Sequence, residues 1–247
     1  MKFIALLFSC FLTAISFAQS TGKITYEEKI DMYRRIPEDR QDMKEMFPQY
    51  RSSMWELIFK GDESVFQHQV EEEMVVTNNQ GGNQMTMRFG GRENRVVYKN
   101  IATSNMIDSR DFMQKQFLIK GVPTERKWKI GKKSKTILGY NCMEASFQQD
   151  SATHYTVWFA PQLQNSNGPS DFQGLPGMIL EIDQNDGERV TTATEIKFDD
   201  VDTSIIVAPT KGKEITAEEF EKIREEKMKE MGMQGGPGGP MQIIIRH

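Results

Sequence analysis

Short segments in which apolar and polar residues alternate follow one another along most of this chain, and no long helical pattern separates them. Residues 24–30 and 55–59 alternate at period two, which is typical of strands with one buried face. Residues 178–182 and 190–198 are separated by a turn that contains Asp186-Gly187, a common hairpin connection. The pattern predicts a mainly β fold, a single strongly curved antiparallel sheet or open half-barrel, and argues against a doubly wound fold.

Helical patterns are confined to two places. Residues 38–50 are charged, with apolar residues at helical spacing, and predict a short helical insertion. Thr216-Ala217-Glu218-Glu219 has the pattern of a capping box and predicts a C-terminal helix. The predicted organisation is a signal peptide at 1–18, an antiparallel β domain at 19–213, a helix at 214–232, and a Gly/Pro-rich linker with a short β-prone tail at 233–247.

The N-terminus has the features of a secretory signal peptide. The basic start Met1-Lys2 precedes an uncharged, largely apolar run from 3 to 17, and small residues precede a cleavage position after Ala18. A lipoprotein start at Cys10 is the alternative, although Leu7-Phe8-Ser9-Cys10 is a poor lipobox. We therefore expect an exported protein of the periplasm or cell envelope, either soluble or peripherally attached to a membrane.

Charge and motifs argue against several classes of function. The formal net charge is −4, and this mild acidity argues against nucleic acid as a partner, because nucleic-acid binding needs a basic face. The sequence contains no G-x-S-x-G, H-E-x-x-H or Cys-x-x-Cys pattern. We therefore expect no enzymatic activity, no catalytic residues, no metal site and no cofactor.

One cysteine, Cys142, remains once the signal peptide is removed. A single thiol cannot form a disulfide within its own chain. In an oxidising compartment it must be buried, bound to a metal or paired with another chain. Its position inside a predicted strand favours burial, where cysteine behaves as a small apolar residue.

The run Gly174-Leu175-Pro176-Gly177 predicts a tight turn ahead of a buried strand. Pro176 fixes its own φ, and Gly177 can adopt a positive φ because it has no Cβ. We expect Gly177 to have a positive φ or to be crowded by neighbouring backbone, and Leu175 to be buried. The turn would then set the register of strand 178–182, which is a structural role.

The stretch 174–181 resembles the signature of the GLPGLI family of Bacteroidota envelope proteins. Met178 stands where that family has leucine, a change that keeps the volume of a core side chain. The resemblance covers roughly 128–182, implies an envelope location and supplies no catalytic residues. Other residues similar to the family are Trp128, Lys135, Ile137, Gly139-Tyr140, Cys142, Trp158-Phe159-Ala160-Pro161, Asn167-Gly168-Pro169 and Phe172.

Four aromatic residues could line the concave face of a curved sheet: Trp55, Phe59, Trp128 and Trp158. The predicted architecture is similar to the lipoprotein-carrier type of open barrel, an analogy at the level of fold alone. Such a face could hold a hydrophobic ligand or a hydrophobic peptide. The sequence therefore favours a non-enzymatic envelope protein that binds a ligand of this kind.

The C-terminal tail supports an alternative function. Ile243, Ile244 and Ile245 are three β-branched residues behind a Gly/Pro-rich linker. A strand on a tether can pair with a sheet edge of its own chain or with a partner. In this alternative the protein is an accessory partner of an outer-membrane transport or secretion complex.

Methionine is unusually frequent, with 16 residues in the chain. Thioethers are soft ligands that select Cu(I), so copper binding is a more remote alternative. Methionine also fills irregular cores, which explains the same composition without a metal. The residues that would hold copper are Met85, Met87, Met231, Met233 and His247.

Overall fold

Fifteen strands make up most of the chain that the structure describes, with one α-helix near the C-terminus. The structure is a computed structural model that describes residues 20–36, 38–45, 48–69, 74–80, 83–89, 95–230 and 242–245, with the backbone only at 40, 43, 74–80, 83–89 and 242–245. The strands are β1 (Thr21–Asp31), β2 (Tyr50–Lys60), β3 (Glu63–His68), β4 (Met74–Gln80), β5 (Asn83–Phe89), β6 (Val96–Asn100), β7 (Asn105–Phe112), β8 (Lys115–Gly121), β9 (Lys129–Ile137), β10 (Tyr140–Gln148), β11 (His154–Ala160), β12 (Met178–Gln184), β13 (Arg189–Lys197), β14 (Lys213–Ile215) and β15 (Gln242–Ile245).

Twelve of these strands form one open sheet in the order β14-β8-β7-β6-β3-β2-β1-β13-β12-β11-β10-β9. Within the described residues no pairing joins the end strands β14 and β9, so the sheet is not closed into a barrel. The predicted fold class, mainly β with one open sheet, is confirmed. Two details differ from the prediction: β14 pairs with β8 in parallel, and β15, β5 and β4 form a separate three-stranded sheet.

The N-terminal strand β1 lies in the middle of the large sheet. It pairs with β2 over its whole length, from Thr21 opposite Lys60 to Asp31 opposite Tyr50. Its other edge pairs with β13, from Lys23 opposite Lys197 to Ile30 opposite Arg189. Strands from the two ends of the sequence therefore meet at the centre of the sheet.

In the described residues, helical structure occurs at the two predicted places and also at Met32–Arg35, ahead of the predicted insertion. Two short 3-10 helices follow β1, at Met32–Arg35 and Glu38–Glu45. The α-helix α1 spans Ala217–Glu230, and its capping box is formed as predicted: Thr216 Oγ1 accepts from the backbone of Glu219, and Glu219 Oε2 accepts from that of Thr216. In the described part of the chain no helix is long and apolar enough to cross a membrane.

The core consists of three clusters of buried side chains. The largest joins β1, β2, β3 and β6 to β9–β13 and includes Tyr26, Trp55 and Phe59. A second cluster lies where the loop 161–177, which joins β11 to β12, packs on the strands, and it includes Leu175. The third cluster places Phe220 of α1 on β8, so the helix is docked on the sheet.

The hydroxyl of Tyr26 in β1 makes a buried hydrogen bond to the backbone of β12. Tyr26 is fully buried, and its hydroxyl donates to the backbone oxygen of Ile179 at 2.8 Å. Tyr26→Phe is expected to lower the free energy of unfolding by about 1 kcal/mol, because the buried carbonyl loses a donor. Urea denaturation measures this effect. Tyr50→Phe, at an exposed tyrosine, is the control and is expected to change stability by less than about 0.5 kcal/mol; equal effects would contradict the role of the Tyr26 hydroxyl.

Candidate functional site

The Gly-Leu-Pro-Gly turn closes the loop 161–177 against the backbone that precedes it. Gly177 has a φ of 151°, and a Cβ there would lie 2.3 Å from the backbone oxygen of Ala160. Leu175 is buried, and its backbone oxygen accepts from the Gly177 amide at 2.8 Å. The structure therefore confirms the predicted backbone conformation of Gly177 and the burial of Leu175.

The loop is tied to the start of β12 by its own backbone. The amide of Met178 donates to Leu163 at 3.1 Å, and the amide of Ile179 donates to Asn167 at 2.9 Å. The Asn167 side chain accepts from the Gly168 amide at 2.8 Å, and Asn167 is fully buried. This loop thus lies alongside the entry to β12 and is held in one position.

A buried lysine of the sheet holds the middle of the loop. Lys99 of β6 has no exposed surface, and its Nζ donates to the backbone oxygens of Gly168 at 2.8 Å and of Phe172 at 3.1 Å. Burial lowers the pKa of Lys99 to about 7, with the Asp171 carboxylate opposing and Arg126 adding to this shift. This buried amine therefore holds the loop through two hydrogen bonds to its backbone.

An ion pair between Asp171 of the loop and Arg126, which lies between β8 and β9, supports the same arrangement. The guanidinium of Arg126 donates to the Asp171 carboxylate at 2.7 Å and to its backbone oxygen at 2.9 Å. The same guanidinium lies 4.0 Å from the centre of the Phe172 ring, a cation–π contact. Burial alone would raise the pKa of Asp171, but the charge of Arg126 lowers it below its ordinary value.

A second ion-pair group connects the loop to β7. Arg95 and Arg110 both donate to Asp108 Oδ2, at 2.8 and 2.6 Å. Arg95 also donates to the hydroxyl of Ser170 in the loop at 2.9 Å. Burial would raise the pKa of Asp108, and the two arginines lower it. Two guanidinium groups and one carboxylate leave one net positive charge in this group, and the contact of Arg95 with Ser170 fixes the loop.

An open groove of about 770 Å³ lies at the other side of the central strands. It runs between the start of β1, the middle of β2 and the segment that leaves β13. Its lining combines carboxylates and ammonium groups with apolar side chains: Lys23, Glu56, Ile58, Ile196, Lys197, Phe198, Asp199, Asp200, Val201, Asp202 and Ile205. The Glu56 carboxylate is oriented by Lys23 at 3.0 Å and by Gln67 at 2.6 Å.

The structure separates the four aromatic residues predicted to face a ligand. Trp55 and Phe59 are buried in the largest cluster, and the Trp55 ring is stacked on Phe66 at 5.0 Å. Trp128 packs against the second cluster, and its indole donates to the backbone of Gln173 at 3.1 Å. Trp158 packs against the largest cluster, with Lys135 Nζ 4.5 Å from its ring centre. Trp128 is thus apart from the other three, which lie in or against one cluster, and Trp55 and Phe59 are enclosed in the core.

The tail residues Ile243, Ile244 and Ile245 belong to β15, which pairs with Met85–Met87 of β5 in an antiparallel register. The tail is thus paired with its own chain at backbone level, and binding of a partner stays a prediction. Cys142 is buried, as expected. Met231, Met233 and His247 lie outside the described residues, so the copper hypothesis is untested. Within the described residues no group of three His, Cys, Asp or Glu side chains could hold a metal ion.

Sequence reasoning missed the buried charges that hold the loop. Lys99 interrupts an apolar strand, Val96-Val97-Tyr98, and a lysine in such a place indicates that a buried acceptor must be present. Asp108 follows Met106-Ile107 in the same way. The partners of Lys99 could not be found from the sequence, because Gly168 and Phe172 lie 69 and 73 positions away and meet it through the fold.

The fold and its sites define a large β domain with an open sheet, a loop held by buried charges and an open groove beside β1. A comparison with protein-family models matches residues 49–222, more than half of the chain, to the family described as "N-glycanase peptide, N-terminal domain". The chain belongs to this family. A comparison with curated proteins gave no match.

Among the solved structures similar to this chain are two of PNGF-II. The structure in space group P21 has 14% sequence identity and a TM-score of 0.49. The matched part covers 83% of this chain and 33% of the PNGF-II chain. The structure in space group C2 has 16% sequence identity and a TM-score of 0.46. The matched part covers 82% of this chain and 32% of the PNGF-II chain. The chain therefore spans about a third of the length of these two structures.

The predicted membership of the GLPGLI family is wrong. The matched range 49–222 contains the turn Gly174–Gly177 and the other residues on which that prediction depended, and it belongs to the N-glycanase family. The physical reason lies in the turn itself. Its second glycine is required because the Ala160 backbone lies so close. The four residues therefore reflect the geometry of the turn, and such a turn does not identify a family.

Proposed function

We propose that this chain is an exported, non-enzymatic domain that binds a carbohydrate-bearing ligand in the groove beside β1. The groove carries the proposal, because it places Asp199, Asp200 and Lys197 next to the apolar side chains of Phe198 and Ile205. A sugar presents hydroxyl groups at its edges and C–H groups on its faces, so a surface of this mixed kind suits it.

Family membership supports this class of ligand. The family description refers to an N-glycanase, an enzyme that acts on N-linked glycans. The chain matches the N-terminal domain in that description, and the PNGF-II structures are about three times as long as the part that matches. Recognition of a glycopeptide is therefore a role that this domain could have without carrying out the cleavage.

A role without catalysis is supported by the chemistry of the buried groups. Lys99, the titratable group with the largest described shift toward neutral pH, has no exposed surface. In the Arg95–Asp108–Arg110 group the carboxylate is buried and paired with both arginines. Export through residues 1–18 is part of the proposal, and this segment lies outside the described residues. A hydrophobic ligand on Trp55 and Phe59 is less favoured, because both are buried in the core.

The test is a titration of the chain with three probes: an Asn-linked glycopeptide, the same peptide without glycan, and the free glycan. We expect the glycopeptide and the free glycan to bind, and the bare peptide to bind at least about tenfold more weakly. The double variant Asp199→Asn, Asp200→Asn should weaken glycan binding by about tenfold or more. Asparagine tolerates the positive φ of 54° at position 200, so the fold is expected to persist.

The matched control is Glu225→Gln, Glu226→Gln, which makes the same change in charge at two exposed positions of α1. It is expected to bind the glycan like the unmodified chain. Equal loss of glycan binding in both double variants would show that net charge alone causes the loss. That result would contradict binding in the groove. Release of glycan from the glycopeptide during the titration, followed by mass spectrometry, would contradict the absence of catalysis.

A second candidate function is attachment to a partner protein through the tail. The observation that favours it is the position of β15 at one end of the three-stranded sheet, in the order β15-β5-β4. A strand at a sheet edge can add a strand from another protein. In this proposal the partner is an envelope protein of a transport or secretion complex, and Ile243–Ile245 would form the pairing edge.

A further inference from the structure

Three arginines from three different elements converge at the end of the central strand. Arg51 of β2 and Arg189 of β13 are the cross-strand partners of Ile30, one on each side of β1. Residues directly opposite each other in neighbouring strands point to the same face of a sheet. Arg51 and Arg189 therefore flank Ile30 on one face, and Ile30 is buried.

The third arginine reaches this group through the chain reversal after β1. The Asp31 carboxylate accepts from the Tyr33 amide at 3.0 Å and begins the 3-10 helix Met32–Arg35. The helix ends with the Ile36 amide donating to the Tyr33 oxygen at 3.3 Å. This short turn brings Arg35 back beside Glu188, the residue that precedes Arg189.

The guanidinium of Arg35 is enclosed but not satisfied. Its side chain is 18% exposed, and its Nε and Nη2 are buried with no hydrogen-bond acceptor among the described residues. The nearest carboxylate belongs to Glu188, with Nε to Oε1 at 4.0 Å, which is too long for a hydrogen bond. A buried donor without an acceptor costs free energy, so the arrangement favours an additional acceptor.

The local charge also leaves room for an anion. Among the described residues the carboxylates that act on Arg35 are Glu188 and Glu28, and Arg189 Nη1 lies 3.8 Å from Glu28 Oε2. In this part of the chain two carboxylates therefore face three guanidinium groups. Burial lowers the pKa of Arg35, the charges of Arg189 and Arg51 lower it further, and Glu188 and Glu28 oppose the shift. An added negative charge would relieve this repulsion.

We infer that Arg35, Arg51 and Arg189 form a binding site for an oxyanion group of a ligand, a carboxylate or a sulfate ester. Guanidinium groups present N–H donors in a planar fork that matches such oxygens in pairs. The site is independent of the groove: Lys23 of the groove and Ile30 of the cluster are seven residues apart on β1, about 23 Å along the strand.

The experiment follows the Nε–Hε NMR signals of the arginines while sodium sulfate or sodium glucuronate is added at constant ionic strength. We expect a saturable shift of the Arg35 signal with at least one of the two probes. Arg35→Met and Arg35→Lys should each weaken binding about tenfold or more, because lysine keeps the charge but lacks the planar fork. In the Arg35 variants the Arg51 and Arg189 signals provide the readout.

The control is Arg224→Met, which removes an arginine of α1 that is paired with Glu221. It is expected to bind the probes like the unmodified chain. Preference for sulfate or for glucuronate identifies the kind of oxyanion. Shifts that grow linearly with concentration, or binding that is unchanged in both Arg35 variants, would overturn the inference. Circular dichroism checks the fold of each variant, and if Arg35→Met unfolds, Arg35→Lys decides.

Discussion

Gly177→Ala is expected to lower the free energy of unfolding by about 3 kcal/mol or more, although it adds a single methyl group. The added Cβ would lie 2.3 Å from the Ala160 oxygen and 2.6 Å from its carbonyl carbon, and a φ of 151° is rarely adopted by residues with a side chain. Backbone cannot move aside as a flexible side chain can. Urea denaturation followed by circular dichroism measures the loss.

The matched control for this prediction is Gly139→Ala. Gly139 also has a positive φ, 82°, but a Cβ there would meet no atom within 4 Å. Gly139→Ala is therefore expected to lower the free energy of unfolding by about 1 kcal/mol, from the unfavourable backbone conformation alone. Equal effects of the two substitutions would contradict the role of close approach. An unchanged stability of Gly177→Ala with loss of glycan binding would instead make the turn a binding element.

Lys99→Met is expected to cost about 2–3 kcal/mol of stability, because it removes the donor to the backbone oxygens of Gly168 and Phe172 inside the protein. Methionine has a similar length, so the loss of packing is small. The loop 161–177 should lose its protection first, and hydrogen exchange at Met178 and Ile179, whose amides donate to the loop, reports this.

The pH dependence of the same variant gives a separate signature. The pKa of Lys99 is about 7 in the folded chain and 10.5 as the ordinary value, so between these pH values the unfolded chain binds more protons. The contribution of Lys99 to the free energy of unfolding therefore increases as the pH rises from about 7 to 10.5 and is flat below that window.

The difference in stability between the unmodified chain and Lys99→Met should consequently grow with pH, by up to about 1.4 kcal/mol per unit. Lys222→Met, at an exposed position of α1, is the control and should give a constant difference. A constant difference for Lys99→Met as well would show that the amine keeps its proton throughout the window.

The open sheet could be predicted because alternation along a strand records which residues share a buried face. Alternation does not record what covers that face. The alternation places Trp55 and Phe59 on the same face of β2. It does not show that side chains from β9–β13 cover that face and bury both residues in the core. The three-residue strand β14 is too short to carry a pattern, so its parallel pairing with β8 was not predicted.

The contacts that fix the loop and the arginine cluster depend on long separations in sequence. Arg95 and Ser170 are 75 residues apart, and Lys99 and Phe172 are 73 apart. Arg35 meets Glu188 only because β13 pairs with β1. Such contacts follow from topology, which composition and periodicity leave open. The family was wrongly predicted because a four-residue turn can recur wherever two backbone segments pass this closely.

The central place of β1 has a consequence for how the chain reaches its native state. One edge of β1 can pair with β2 once the chain has been synthesised to residue 60. The other edge can pair only after β13, which begins at Arg189, has been synthesised. Pairings of such separation slow folding to the range of milliseconds to seconds in β proteins. A nascent or truncated chain that ends before Arg189 presents an unpaired edge along β1 in which apolar and polar residues alternate, and this edge favours aggregation until the last third of the domain has been made.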